Sequence, residues 1–155
     1  MLDIDEAKQA IRSFQALLDQ TSGGESHLRI SPDAWTLSEI VGHLIDSASN
    51  NHQRFVRLRF ENLKDYPGYD AEPWVASQKY DQFDFESLST LWTSFNALLL
   101  HLAESMSHDV LQNTWETSEG KLTLEFLVED YYRHLRLHTE HYKKRRTEVL
   151  EKMEA

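Results

Sequence analysis

The chain has 155 residues, of which 40 % are apolar, enough for one domain around a single core. Its formal net charge of −10 argues against a nucleic-acid partner, because neutralising phosphates requires a basic surface. It has no cysteine, so disulfides and thiolate ligands are excluded and any metal must be held by His, Asp or Glu.

The first helix is expected over residues 3–19, where Ile4, Ala7, Ile11, Phe14 and Leu18 recur at helical spacing. This start is acidic and amphipathic and lacks an apolar signal core, which suggests a cytoplasmic protein. Thr21-Ser22-Gly23-Gly24 ends the helix, and a loop with Pro32 follows. A second helix opens at Thr36, which forms a capping box with Glu39, and Trp35 is placed to staple against its first turn. Its apolar stripe is Leu37, Val41, Leu44, Ala48, Phe55 and Leu58, with His43, Ser47, Asn50 and Arg54 alongside as a polar one. It is expected to end near residue 62.

Residues 66–84 carry Pro67-Gly68 and Pro73 and read as a long, partly irregular connection. The third helix spans 85–107, with Leu88, Leu91, Phe95, Leu98, Leu102 and Met106 as its stripe. Residues 108–121 form a second connection, with a turn at Gly120 and room for a short two-stranded piece. The fourth helix spans 123–151. Its stripe runs Leu124, Leu127, Tyr131, His134, His138, His141, changing from apolar to imidazole halfway along. The basic run Lys143-Lys144-Arg145-Arg146 near its end reads as a solvated face favoured by the helix macrodipole. No run of about 18 apolar residues occurs, so no membrane span is expected. Four long helices with two sizeable connections point to an all-α four-helix bundle, one domain over 1–155, with any site built in the core.

His134 and His138 stand one turn apart on one helix face, about 6 Å along the axis, and two imidazoles so placed can grip one ion. A third imidazole from a neighbouring helix would complete an open three-histidine site of the catalytic zinc type. His138 and His141 also share a face, whereas His134 and His141 are about 10 Å apart along the axis, too far for one mononuclear centre. From the residues alone the pair is a metal grip or two of eight histidines that share a face by chance, and His43 is equally a core histidine. His27, His52, His101 and His108 read as surface residues. Tyr131, Asp46 and His141 are the candidates for a catalytic role. Tyr131 reads more simply as core, and Asp46 as either an orienting carboxylate or a solvated one.

Three stretches carry a resemblance: Trp35 to Ser47 (WTLSEIVGHLIDS), Leu122 to Leu127 (LTLEFL), and His134-Leu135-Arg136-Leu137-His138. Together, in this order and spacing, they resemble the DinB-like superfamily of DNA-damage-inducible and YfiT-type metal-binding proteins. The resemblance implies a four-helix bundle of up-down-down-up type with His43, His134 and His138 as metal ligands, and it favours a homodimer. Where many relatives have Gln, this chain has His141.

The metal would be zinc or nickel, both suited to imidazole. A bound divalent ion lowers the pKa of its water, which suits hydrolysis. Some relatives are instead thiol-dependent transferases, so the resemblance also implies an S-transferase using an external low-molecular-weight thiol as thiolate. Either enzyme would act on a small-molecule substrate. The alternative is a non-catalytic metal- or small-molecule-binding interaction protein, whose metal would be a structural staple closed by a fourth protein ligand.

Overall fold

The computed structural model describes residues 2–155. Four long helices build it: α1 (Ile4–Gln20), α3 (Leu37–Arg57), α5 (Phe85–Glu104) and α7 (Leu124–Glu154). Short elements join them: α2 (Gly23–His27), β1 (Leu63–Lys64), α4 (Ala71–Gln78), a 3-10 turn (Tyr80–Gln82), α6 (His108–Leu111), β2 (Thr114–Thr117) and β3 (Gly120–Thr123). The main packing contacts place α5 and α7 each against both α1 and α3. The four-helix bundle read from the sequence is thus the fold. Among the described residues no helix is long and apolar enough to cross a membrane.

Each long helix starts on a side-chain cap. Asp3, Thr36, Asp84 and Thr123 accept from the backbone amides of Glu6, Glu39, Ser87 and Phe126. At α3 the capping box is complete, with Thr36 N donating to Glu39 Oε1 at 2.9 Å and Glu39 N to Thr36 Oγ1 at 3.1 Å. The core gathers Phe14, Trp92, Tyr132, Tyr142 and Phe55 among aliphatic residues of all four helices. Phe14 meets Trp92 and Tyr142 edge-on, at centroid distances of 4.7 and 5.2 Å.

Two apolar stripes are displaced from their expected lines. On α5 the buried positions are Phe85, Leu88, Trp92, Asn96 and Leu99, while Leu91 and Leu98 stay 47 % and 44 % exposed. The helix is apolar over a wide arc, and Trp92, the largest side chain, faces the centre. On α7 the core line continues through Leu135, Thr139, Tyr142 and Val149, and the histidines run beside it half-buried. A 3-4-3-4 spacing averages 3.5 residues per turn and drifts about 20° per heptad against a straight helix. The histidine line therefore slides off the core and onto the flank facing α3.

The connections hold more structure than the sequence suggests. Ser22 accepts from Glu25 N and caps α2, where glycines had signalled a loop. Pro73 is the third residue of α4, in the first turn, where no intrahelical donor is needed, so it does not break that helix. The second helix stops at Arg57 rather than near 62, because Leu63 and Lys64 leave to pair in parallel with Trp115 and Glu116. The anticipated two-stranded piece is the β2–β3 hairpin, with Gly120 at φ +127° in its turn.

Nor is the basic run simply a solvated face. Lys143 and Lys144 are exposed, but Arg146 Nε donates to Glu25 Oε2 at 2.8 Å and its Nη2 to the Gln20 carbonyl at 3.0 Å. Arg145 donates to the Trp35 carbonyl. These two arginines tie the end of α7 to the chain between α1 and α3.

Candidate metal centre

The first half of α3 is buried on every side, because α5, α7, α4 and the 3-10 turn all pack around it. His43 lies within that stretch, only 5 % exposed. Across from it, α7 presents His134 and His138 from successive turns. The Nε2 atoms of His43 and His134 lie 3.2 Å apart. The His43 ring centroid is 4.6 Å from that of His138, and the His134 and His138 centroids are 4.5 Å apart. One ligand atom from each of the three imidazoles lies within 4.8 Å of the others. Among the described residues no fourth His, Asp or Glu joins the group. The structure thus brings together the three histidines expected to ligate.

These residues suit a divalent ion in two respects. Two ligands on a tetrahedral ion at 2.0–2.1 Å stand about 3.3–3.4 Å apart, close to the observed Nε2 separation. The imidazoles are also held neutral, as ligation requires. Burial, reinforced by the charge of His134 and then His141, lowers His43 to about 4. Burial with His134, His43 and His141 lowers His138 to about 3. His134 is lowered too, chiefly by burial.

His141 stands beside the trio. Its Nδ1 is 3.3 Å from Nδ1 of His138, which leaves the Nε2 of His138 free to bond. A hydrogen bond to the remote ring nitrogen is how ligating histidines are commonly oriented. Trp35 covers His43, with centroids 5.1 Å apart, so it serves the site rather than only the helix start. The Nδ1 of His43 is buried without a partner.

Asp46, one turn after His43, is buried and not solvated. Its Oδ1 accepts from Tyr80 Oη at 2.6 Å and from Gln78 Nε2 at 2.8 Å, and burial raises its pKa despite those bonds. The sequence reading missed Tyr80 and Gln78 as its partners. The available signal was Gly42, since a Cβ there would stand 2.0 Å from the Tyr80 ring. Glycine is what lets that ring lie on α3 and reach Asp46. Tyr131 donates its hydroxyl to Asn96 Oδ1 at 2.6 Å within the core. Of the four histidines read as surface residues, His27, His101 and His108 are exposed, while His52 is half-buried edge-on to Phe95.

Comparison with known proteins bears on this arrangement. The sequence model of the DinB superfamily matches residues 6–142. The chain belongs to the DinB superfamily. YfiT from Bacillus subtilis, described as a probable metal-dependent hydrolase with an unusual four-helix bundle topology, is similar in structure. It superposes with a TM-score of 0.77 at 20 % identity, over 92 % of this chain and 85 % of that one. A mycothiol-dependent maleylpyruvate isomerase superposes with a TM-score of 0.72 at 15 % identity, over 88 % of this chain. The match spans only 57 % of the isomerase. A conserved protein from Enterococcus faecalis gives 0.68 at 14 % identity, over 95 % of this chain and 94 % of that one. At these identities the likeness is one of fold. No curated protein matches the sequence significantly. Within the superfamily, this member sets its three histidines on helices α3 and α7.

Proposed function

We propose that this DinB-superfamily chain is a metal-dependent enzyme acting on a small molecule, with His43, His134 and His138 holding one zinc or nickel ion. The carrying observation is the open trio: three neutral imidazoles converge from two helices, without a fourth His, Asp or Glu in the group among the described residues. A structural zinc site would close with four protein ligands, so the open trio favours catalysis or ligand binding over a staple. When bound, the ion supplies a Lewis acid that activates water or an external thiol and polarises an electrophile.

The chain's own residues divide the remaining work. His141 orients His138 through the Nδ1 contact. Trp35 shields the His43 ring from solvent. His141 is half-buried beside His138 and would carry protons there. Tyr80 and Gln78 both bond Oδ1 of Asp46, so Asp46 positions the 3-10 turn and α4 against α3, while its Oδ2 is buried without a partner. Both hydrolysis and transfer of an external thiol fit the trio, since a bound divalent ion would bring either water or a thiol toward its ionised form. The similarity in fold to a probable metal-dependent hydrolase supports the first and that to a mycothiol-dependent enzyme the second.

Metal content decides the first part. Elemental analysis of protein purified without chelator or an oligohistidine tag should find about one transition-metal ion per chain. His43→Ala and His138→Ala should each lose it. Full retention of metal in both variants refutes the ligand assignment.

A further inference from the structure

Beside the trio, a cavity of about 220 Å³ runs between α3, α7 and the small sheet. His134 lines one part of it and Arg54 another, with Ser47, Tyr69, Trp115 and Leu127 among the walls. Arg54 is 7 % exposed. Its guanidinium lies 4.3 Å from the Trp115 ring centroid and 5.9 Å from that of Tyr69. Among the described residues no carboxylate lies within ion-pair distance of it, and its Nε is buried without a hydrogen-bond partner. Burial lowers its pKa, and the groups that act against this are tyrosines, not carboxylates.

A buried charge is ordinarily paired, so an unpaired guanidinium in a cavity wall is an exception that calls for an anion. Neighbouring sequence provides no structural substitute. The acidic residue on the cavity wall, Asp130, is engaged by Arg133 at 2.6 Å. Nor does Arg54 hold the bundle together through polar bonds, as Arg145 and Arg146 do.

We propose that Arg54 is a carboxylate-binding subsite, and that the molecule handled at the three histidines is an elongated organic monoacid anchored there by its carboxylate. Three features select this class. The guanidinium is stacked on an indole face, which leaves its in-plane edge for a planar, bidentate acceptor. The cavity walls include Leu122, Phe126 and Leu127, which suit an apolar body. The negative net charge and Asp130 disfavour a multiply charged ligand. Length follows from the helix: His43 and Arg54 are eleven residues apart on α3, about 16 Å along the axis. Helical side chains lean toward the N-terminus, so Arg54 reaches back toward His43 and shortens that span. The acid must therefore carry its reacting group well away from its carboxylate.

This subsite rests on the metal-enzyme reading for its catalytic meaning but not for its binding, so the two are tested apart. Zinc-loaded and metal-free protein are titrated with 4-phenylbutyrate, its carboxamide and phenyl phosphate by calorimetry, with the Arg54 Nε–H resonance followed by nitrogen-edited NMR and metal content measured on the same samples. The carboxylate should bind both forms at least tenfold more tightly than the amide and shift the Arg54 resonance. Arg54→Gln should erase that preference. Arg54→Lys, which keeps the charge but loses the fork, should retain only part of it and covers the case in which the Gln variant does not fold. Undiminished carboxylate preference in both variants, binding only to the zinc-loaded form, tighter binding of the phosphate ester, or an unshifted Arg54 resonance would each overturn the assignment. Loss of metal alone, with carboxylate binding intact, would count against the metal reading and leave the subsite standing.

Discussion

Gly42 shows how one missing side chain organises the site. Glycine inside a helix costs roughly 1 kcal/mol relative to alanine, yet here it gives Tyr80 its seat on α3. Gly42→Ala would regain that propensity and drive a methyl group into the Tyr80 ring, which closes on the tight Tyr80–Asp46 bond. The overpacking should dominate and destabilise the fold by about 1–3 kcal/mol in urea unfolding. A neutral or stabilising result would mean that Tyr80 is free to move off α3. At this same scale the sequence was partly readable. The histidine pair could be seen because four-residue spacing is a local property of one helix. The partners of Asp46 and the isolation of Arg54 could not, because Tyr80, Tyr69 and Trp115 reach them from segments far away in the chain.

Among the elements, the start of α3 is fixed by a capping box and an ion pair close to the site. Glu39 closes the capping box and also accepts from Arg29 at 2.7 Å, while Arg29 contacts Asp81 at 3.4 Å. One carboxylate therefore joins α3 to the preceding loop, and Arg29 joins that loop to the 3-10 turn. Glu39→Ala should cost about 1–2 kcal/mol, the upper range for a cap, because it also strands the half-buried Arg29. Thermal unfolding checks this, and Asp81→Ala, which removes only the longer contact, should cost clearly less. Capping boxes are legible in sequence because both residues lie within four positions. The strand β1 was not, since two residues carry no periodicity and its pairing partner Trp115 lies some fifty residues onward.

For the molecule as a whole, the buried histidines couple folding to pH. His43 and His138 titrate near 4 and 3 in the folded chain, against an ordinary value of 6.5, and His134 and His141 shift in the same direction. The unfolded chain therefore binds more protons through this window, so stability falls as pH drops below about 6.5 and is insensitive to these groups above it. Asp46, raised by burial, acts in the opposite sense closer to the carboxylate range. Metal-free protein should melt at a clearly lower temperature at pH 5 than at pH 7.5, and the difference should shrink in a His43→Ala/His138→Ala double variant. An unchanged difference would place the acid sensitivity elsewhere. The bundle itself was legible because each long helix opens on apolar residues at helical spacing. The histidine line was misplaced onto the core because a 3.5-residue repeat and a 3.6-residue helix separate only over several turns, and only the packed structure shows which line wins.

The stacking of Trp35 on His43 has an optical consequence. An indole a few ångströms from a ligand is an energy donor to whatever ion that ligand holds. Nickel, with its unfilled d shell, should quench its emission, whereas closed-shell zinc should leave it nearly unchanged. Trp92 is sealed in the core and Trp115 lines the cavity that His134 also borders, so Trp35→Phe is needed to isolate the contribution of Trp35 from theirs. The protein carries its own spectroscopic probe for telling the two candidate metals apart.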